Sequence, residues 1–316
     1  MAVQARGYKA STTIDFESTY NKAPVTKKGI LLPINKNEME KKQTLISSDT
    51  ITGSRNNTIS SLGRVSVDGN VTIPADFRAI GYWLKALLGA PTSIKGTGVN
   101  THTYKVGDTQ PSFVLEKAFP DSGKYFLYRG CKVNTLKWGF GEDSEMTVEL
   151  AIMGALREIA SATYDTSATS VAKLPISQNH TYVKIGGTES EIVKTGDFTL
   201  DAGLDGDQYV VGKGGIRGDI PEGLFKASGN IEALFMDTSM MSLADTGAKT
   251  SLEIGFKMSE NCSLAFTFPE VQIEPHDAPI DGPAGVSVKF AWNAFYESNA
   301  QKSTVQVVLK NDKESY

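Results

Sequence analysis

Residues 63–73 read GRVSVDGNVTI, and 160 positions later (63 to 223) residues 223–233 read GLFKASGNIEA. Each stretch opens on a glycine and has a second glycine, followed directly by asparagine and a β-branched residue, six positions further on. Alternation of apolar and polar residues, as in 63–73, is typical of a half-buried β-strand. We therefore interpret both stretches as matching core strands, with repeat-core positions Gly63, Gly69, Asn70, Gly223, Gly229 and Asn230.

Strand patterns fill most of the remaining chain, and one segment differs. In PADFRAIGYWLKALLGAP, residues 74–91, apolar residues recur at helical spacing. Asp76 is suited to accept hydrogen bonds from the free N–H groups at the start of this helix, and Gly89 is suited to end it. A weaker helical pattern covers 237–247. Each helix follows one copy of the repeated strand, which predicts a sheet with a covering helix in each half.

The order of the later strands is also repeated. PSFVLEKAF at 111–119 aligns with TSLEIGFKM at 250–258, and MTVELAIMGA at 146–155 aligns with VSVKFAWNAF at 286–295. The loop at 90–110 has almost no counterpart in the second half, which explains the shorter offset. This order predicts a mainly β protein made of two tandem β-sandwich or barrel domains, each with a flanking helix, related by internal duplication.

The duplication predicts a division of the chain into two domains. We place the first domain with an N-terminal arm at 1–158, a linker at 159–178 and the second domain with a C-terminal arm at 179–316. Two copies of one interaction domain in a chain allow a closed ring to form from half as many subunits. We therefore expect a homo-oligomeric ring of three chains with sixfold appearance.

Composition narrows the classes of function. The 316 residues are 40% hydrophobic and 22% charged, which is typical of a globular protein, and the formal net charge of −4 offers no basic surface for tight DNA binding. No apolar run is long enough to span a membrane, and the first twenty residues lack the apolar segment of a signal peptide. These features lead us to expect a protein made in a cytosol-like compartment without a membrane partner.

Residues with catalytic potential are scattered. His102, His180 and His276 are far apart and lack metal-ligand spacing, while Cys131 and Cys262 are expected to be reduced thiols. GKGGIRGD at 212–219 lacks the order of a phosphate-binding loop and contains an Arg-Gly-Asp tripeptide. We expect no catalytic, cofactor or metal site, and therefore no enzyme.

The segment LISSDTITGSRNNTISSLGRVSVDGNVTIPADFRAIGYWLKALLGAP at 45–91, followed by strands ending in EMTVELAIMGA at 145–155, carries a family resemblance. It resembles the tail tube (major tail) proteins of long-tailed, non-contractile bacteriophages. The resemblance implies a structural virion protein that stacks as rings into a hollow tail tube, assembled in the host bacterial cytoplasm. It also implies tape measure, tail tip and tail terminator proteins as partners, and passage of double-stranded DNA without sequence-specific binding.

Two polar segments are suited to joints between rings. Residues 26–44 and 188–198 each precede the repeated strand of their half and carry a short apolar group within charged flanks. We predict that both reach the next ring. The candidate inter-ring contacts are Ile30, Leu31, Leu32, Ile192 and Val193.

Two alternatives belong to other classes. A β-sandwich binding module or adhesin predicts a monomer with an aromatic platform, and a hydrolase on a β scaffold needs convergent polar groups that the linear pattern does not reveal. Self-assembly at high concentration distinguishes the structural protein from both.

Overall fold

The computed structural model describes residues 4–280 and 282–316. Within them lie twenty β-strands and two α-helices, α1 at Ile80–Leu88 and α2 at Ser239–Asp245. The strands of the first half are β1 Ser11–Phe16, β2 Ile30–Leu32, β3 Lys36–Asn37, β4 Glu40–Ile46, β5 Ser61–Pro74, β6 Thr92–Lys95, β7 Asn100–Lys105, β8 Phe113–Phe119, β9 Lys124–Phe140, β10 Thr147–Gly154 and β11 Leu156–Ala160. The later strands are β12 Thr169–Ser170, β13 Thr181–Ile185, β14 Thr188–Glu189, β15 Val193–Asp201, β16 Lys226–Leu234, β17 Thr250–Ser259, β18 Cys262–Ile273, β19 Ser287–Ala294 and β20 Gln306–Asn311.

All twenty strands belong to one hydrogen-bonded network, which is antiparallel except for the parallel pair β2–β12. The longest strand, β9, connects two parts of this network. Its N-terminal half pairs with β8 and β11, whereas its C-terminal half pairs with β10 and β15. The mainly β architecture predicted from strand alternation is therefore confirmed, but the described residues form one mixed sheet system and not two separate sandwiches.

The two halves use the same order of strand pairing. In the first half the neighbours run β4–β5–β10–β9–β8–β1, and β11 adds to the free side of β9. In the second half they run β15–β16–β19–β18–β17–β13, and β20 adds to the free side of β18. The helix of each half follows its matching strand, β5 or β16. The β6–β7 hairpin of the first half has no counterpart after α2.

Two seams join the halves edge to edge. In the first, β15 pairs with β9 from Gly196 opposite Phe140 to Asp201 opposite Thr135. In the second, β20 pairs with β7 from Gln306 opposite Lys105 to Asn311 opposite Asn100. Hydrogen bonding continues across both seams. The division of the chain into domains at 1–158 and 179–316 stays a prediction.

Segment 159–178, predicted as a linker, lies along the first half. Its strand β12 pairs with β2, Phe77 N donates to Leu174 O at 2.9 Å, and Ile176 N donates to Ala75 O at 3.0 Å. The connection is thus held to the sheet at several points.

An aromatic cluster fills the core beneath the first seam. Trp138 of β9 is fully buried and stacks on Phe256 of β17, with ring centroids 4.7 Å apart and an interplanar angle of 13°. Phe198 of β15 and Phe266 of β18 surround the same indole at 6.2 and 5.6 Å. Aromatic side chains bury large apolar areas and add a stacking preference. The two halves therefore share one core as well as one sheet.

Helix α1 begins at Ile80 with Ala79 as its N-cap, so Asp76 lies in the turn before the helix and not at the predicted capping position. The Asp76 carboxylate accepts hydrogen bonds from the N–H groups of Arg78 and Ala79, both at 2.8 Å, and also from the N–H of Leu174. Helix α1 has nine residues, and Gly81 and seven others are buried. This is more than the single apolar face of a surface helix would bury. The second face is covered because the ring of the C-terminal Tyr316 packs on Gly81 and its hydroxyl donates to Arg78 O at 3.0 Å.

The repeated second glycines have the same physical role. A Cβ on Gly69 would lie 2.5 Å from Glu38 O and 2.7 Å from Met39 Cα. A Cβ on Gly229 would lie within 3.0 Å of Asp197 O and Phe198 Cα. In each half a neighbouring strand crosses the glycine so closely that no side chain is admitted. This close approach explains why the motif occurs twice.

Replacing Gly229 or Gly69 by alanine is expected to lower the free energy of unfolding by about 1–3 kcal/mol, because backbone has to shift to admit the methyl group. The matched control is Gly139→Ala in β9, where the nearest atom to the added methyl, Gly196 O, is 3.9 Å away. Urea unfolding followed by circular dichroism compares the three variants. Equal stability of all three would contradict the close-approach explanation.

Candidate functional site

The outer face of the sheet that crosses the first seam is an organised polar surface. Strands β5, β10, β9, β15, β16 and β19 lie side by side there, and alternate residues point to opposite faces. On β10, for example, Val148, Leu150 and Ile152 are buried while Glu149 is exposed. We call this outer surface the polar face. Its side chains are Ser66, Asp68, Asn70, Thr72, Thr135, Lys137, Thr147, Glu149, Asp197, Thr199, Asp201, Lys226, Ser228, Asn230, Glu232, Ser287, Lys289 and Asn293.

The polar face is close to electrically neutral, because its Asp68 and Glu232 are paired with Arg217 and Lys194, which are not among the side chains named above. It carries five carboxylates and three lysines among short hydroxyl and amide side chains. Neighbouring strands pair many of these groups: Asn70 Nδ2 donates to Glu149 Oε1 at 2.7 Å, and Asn230 Nδ2 donates to Asp197 at 3.2 Å. The three lysines, Lys137, Lys226 and Lys289, lie on three different strands among these groups, so they do not form a continuous basic row that would hold a polyanion.

A concavity of about 390 Å³ opens on the polar face over the seam. Its lining includes Lys137, Asp197, Asn230, Glu232 and Lys289, with the loop after β9 on one side. Hydrogen bonds donated by Lys194 and Ser287 hold the pKa of Glu232 below its usual range. A carboxylate that stays ionised at neutral pH is unsuited to act as a general acid, and its partners give it a structural role.

The residues singled out as possible catalytic groups lie in separate structural sites. His102 is buried in β7, with Nδ1 2.7 Å from Ser93 Oγ and Nε2 2.9 Å from Lys313 O, and burial lowers its pKa. His180 lies in a 3₁₀ turn and His276 on an exposed segment. Among residues 4–280 and 282–316, no group of three or more potential ligands could hold a metal ion.

Both cysteines are free, as expected. Cys131 is fully buried, and this burial raises the pKa of its thiol, which makes the thiolate nucleophile scarce. Cys262 is partly exposed and its pKa is also raised by burial.

The Arg-Gly-Asp tripeptide at 217–219 takes part in a buried contact between the loop before β16 and the sheet. The Arg217 side chain is only 7% exposed, and its guanidinium contacts Asp68 at 2.5 and 3.1 Å. It also donates to the carbonyl oxygens of Val67, Gly154 and Gly206 at 3.3, 3.0 and 2.6 Å. A buried arginine with five acceptor contacts ties the loop before β16 to β5 and β10, so it is not available to a receptor.

The predicted inter-ring residues occupy two places. Ile30, Leu31 and Leu32 form β2, which is paired on both sides; Leu32 is buried and the other two are half-buried. Ile192 and Val193 lie at the start of β15 and pack partly against the core. The structure therefore brings β2 and β15 into the sheet, and whether these residues contact another ring stays a prediction.

The exposed apolar residues of the β4–β5 hairpin were not predicted from the sequence. Its side chains Leu45, Ile46, Ile51, Ile59 and Leu62 are between 53% and 96% exposed. The signal was present as isolated apolar residues within a Ser-, Thr- and Asn-rich run, but the same pattern also suits a loop whose apolar residues turn inward. An exposed group of this kind marks an interaction surface.

Comparison with known proteins decides the identity. A model of the phage tail tube protein family matches residues 7–294. The chain belongs to the phage tail tube protein family. No curated protein sequence matches it. No helix in the described parts of this tube protein is long and apolar enough to cross a membrane.

Family membership states what kind of molecule this tube protein is. It is a structural, non-enzymatic component of the virion tail that assembles with itself. The scattered histidines and the structural roles of Arg217 and Glu232 agree with this assignment. The polar face and the exposed hairpin are thus surfaces of an assembly subunit.

Replacing Arg217 by alanine is expected to lower the free energy of unfolding by about 2–4 kcal/mol, because three carbonyl groups and Asp68 lose their donor. Arg217→Lys is expected to recover only part of this loss, since one ammonium group cannot reproduce the planar set of contacts. The control is Arg64→Ala, an exposed residue beside the Tyr209 ring, with an expected change within about 0.5 kcal/mol. Thermal unfolding measures all three. Similar losses for Arg217→Ala and Arg64→Ala would refute the supporting role.

Proposed function

We propose that this chain polymerises as stacked rings of three chains, and that the stack forms a hollow, non-contractile tail tube through which double-stranded DNA is ejected. The observation that carries the proposal is the β9–β15 seam, at which the sheet of one half continues directly into the sheet of the other. Each half thus behaves towards the other as one ring subunit towards its neighbour. The same contact repeated around an axis generates a ring.

An internal duplication supports the number of chains. Six pairings of the first half recur in the same order in the second half, and the glycines of the repeated motif make the same close contacts. Two equivalent halves per chain give three chains six equivalent positions. We therefore propose two tandem tube domains, related by duplication, and a ring with threefold symmetry and sixfold appearance.

The strand count supports a pore of suitable width. One chain places eight strands side by side, in the order β4–β5–β10–β9–β15–β16–β19–β18, and three chains provide twenty-four. Strands spaced about 4.8 Å apart and tilted by about 40° then close a barrel roughly 48 Å across. After side chains are allowed for, such a barrel admits a DNA double helix.

We propose that the polar face lines this pore. The opposite face of the same strands is covered by the core and the helices, so closure of the barrel would turn the polar face inward. With Asp68 and Glu232 paired to Arg217 and Lys194, the face is close to neutral and offers phosphate groups no continuous basic surface. Short hydroxyl and amide groups add hydration without a strong charge. DNA would therefore slide along the surface without sequence-specific binding.

Further partners follow from the ends of a stack. A stack of rings has no built-in end, so a tube of defined length needs one protein that sets the length and others that close its ends. We propose a tape measure protein, a tail tip and a tail terminator for these roles, with assembly in the host bacterial cytoplasm.

The contacts between rings are proposed to involve the β4–β5 hairpin together with Ile30, Leu31, Leu32, Ile192 and Val193. The hairpin carries the more exposed apolar side chains, which a contact with the next ring would cover. In the isolated chain these side chains lie in water, so the stacked state gains the hydrophobic free energy of covering them.

Electron microscopy of the concentrated protein tests the ring. Class averages viewed down the axis are expected to contain three chains around a pore wide enough for DNA, and mass measurement of detached rings gives the chain count independently. Six chains per ring would refute the use of the duplication for ring closure. A protein that stays monomeric at high concentration, and also when added to tail tips as a template, would refute the tube.

Replacing Ile51 and Ile59 together by serine is expected to leave rings intact and to shorten tubes, because each side chain is more than 90% exposed and supports no contact within the chain. The matched control is Ile94→Ser on β6, which is 67% exposed and lies outside the hairpin. Tube lengths measured on micrographs separate the two variants. Tubes of normal length from the double variant would exclude the hairpin from stacking.

A further inference from the structure

The eight-strand sheet of one chain has an unpaired edge at each end. At one end, β4 pairs with β5 on one side only. At the other end, Gln272 and Ile273 of β18 pair with β19 on one side only, whereas Val271 also pairs with Thr250 of β17. After Glu274, whose N–H donates to Ala291 O at 2.8 Å, residues 275–280 belong to no strand. Within the described residues, no other strand pairs with either edge. Met39, just before β4, is buried; its N–H donates to Asn37 Oδ1, and its carbonyl oxygen accepts from Lys117 Nζ and Tyr128 Oη, so pairing at this position replaces these contacts. A ring closes when the two ends of adjacent chains meet.

We propose that residues 274–280 of one chain become a strand on residues 37–43 of the next chain, antiparallel and in the register of the β9–β15 seam. The occupant of each edge is thus a second copy of this chain. The inference rests on the proposed ring and specifies which surfaces close it.

The internal seam identifies the two segments. Glu38 and Met39 cross Gly69 in the way that Asp197 and Phe198 cross Gly229, so residues 37–43 correspond to 196–202. On the other side, Ile273 pairs with Trp292 of β19 as Val133 pairs with Ile152 of β10. Residues 274–280 therefore correspond to 134–140. The segments 196–202 and 134–140 are the two partners of the internal seam.

The backbone of β4 is oriented for this pairing. The N–H of Val65 donates to Gly215 O at 2.8 Å, on the side of β5 away from β4. Gln43 lies opposite Val65, and Lys41 lies opposite Val67. Because residues of an antiparallel strand alternate between its two sides, the N–H and C=O groups of Lys41 and Gln43 point away from β5. These groups are the free donors and acceptors of the edge.

The two prolines in 274–280 do not remove the N–H groups that would face the neighbouring chain. In the internal seam, Ala202 N donates to Asn134 O at 2.8 Å, so residues 134, 136, 138 and 140 face β15. The corresponding residues 276, 278 and 280 are His, Ala and Ile, which all have an N–H group. Pro275 and Pro279 fall at the alternate positions, where the seam needs no donor. Both prolines thus permit pairing with a neighbour.

The exposure of Ile280 favours the same contact. Ile280 is 87% exposed in the single chain, whereas Phe140 at the corresponding position of the internal seam is 3% exposed. Pairing would cover Ile280 in the same way. Charge adds nothing to this contact, because Glu38 and Glu40 balance Lys41 and Lys42 within 37–43 and the proposed register places Glu40 opposite Asp277.

Disulfide cross-linking tests the register. Both native cysteines are replaced by serine, and Glu40→Cys is combined with Asp277→Cys, which the proposed register places directly opposite each other. Their internal counterparts are Thr199 and Lys137, which pair in the seam. Oxidation of assembled protein is expected to give covalent oligomers that end at the closed trimer on a denaturing gel without reductant.

The control pair combines Asp277→Cys with Glu149→Cys. Glu149 is exposed on the polar face but lies on β10, which has a strand on both sides, so no cross-link is expected. Rings seen by microscopy without a 40–277 cross-link would overturn the seam and leave the proposed tube standing. Absence of any ring from the cysteine-free parent would overturn the tube and the seam together.

A proline variant gives an independent readout. Lys41→Pro removes a donor that points away from β5, so the melting temperature of the single chain is expected to stay unchanged while ring formation is lost. Lys41→Ala is the control for loss of the side chain and is expected to form rings. Normal rings from Lys41→Pro would overturn the proposed pairing. Lys42→Pro removes a donor directed at β5 and is expected to lower the melting temperature, which checks the assigned alternation.

Discussion

The structure depends on one antiparallel pairing, between the C-terminal half of β9 and β15. Six pairs of residues are paired through their backbones there and join the two halves. Beneath them, Trp138 packs against Phe198 and Phe256. Hydrogen bonding satisfies backbone groups at what would otherwise be two exposed edges, and the aromatic stack adds buried apolar area. Without this seam, the polar face would be divided into two narrower surfaces. Its continuity gives the chain one polar face that runs across both halves.

The parts that were predictable from the sequence are those controlled by local chemistry. Gly69 and Gly229 were recognised from the sequence as matching positions of two repeated strands, and Asp76 as an acceptor of hydrogen bonds near the start of α1. Strand alternation indicated the fold class. Each of these signals arises within a few residues of chain, where conformational preference and spacing act directly.

The seam and the polar face were not predictable in the same way, because they depend on which strands become neighbours. Lys137, Glu149 and Asp197 alternate with apolar residues in three separate strands, and nothing in their spacing identifies them as parts of one surface. The burial of Arg217 has the same origin, since its acceptors come from β5, β10 and its own loop. Likewise, segment 159–178 has the composition of a linker, yet its backbone pairs with the first half. Long-range pairing decided each outcome.

The β6–β7 hairpin has a consequence for the outer shape of the assembly. It is present only in the first half, where it follows α1 and receives β20 from the second half as an added strand. A single gene that encodes both halves can lengthen one without the other, whereas a subunit with one domain repeats every change at all positions. In a ring of three chains this hairpin would therefore recur every 120°, on alternate domains. The tube would then have a threefold exterior pattern around a lumen of nearly sixfold symmetry.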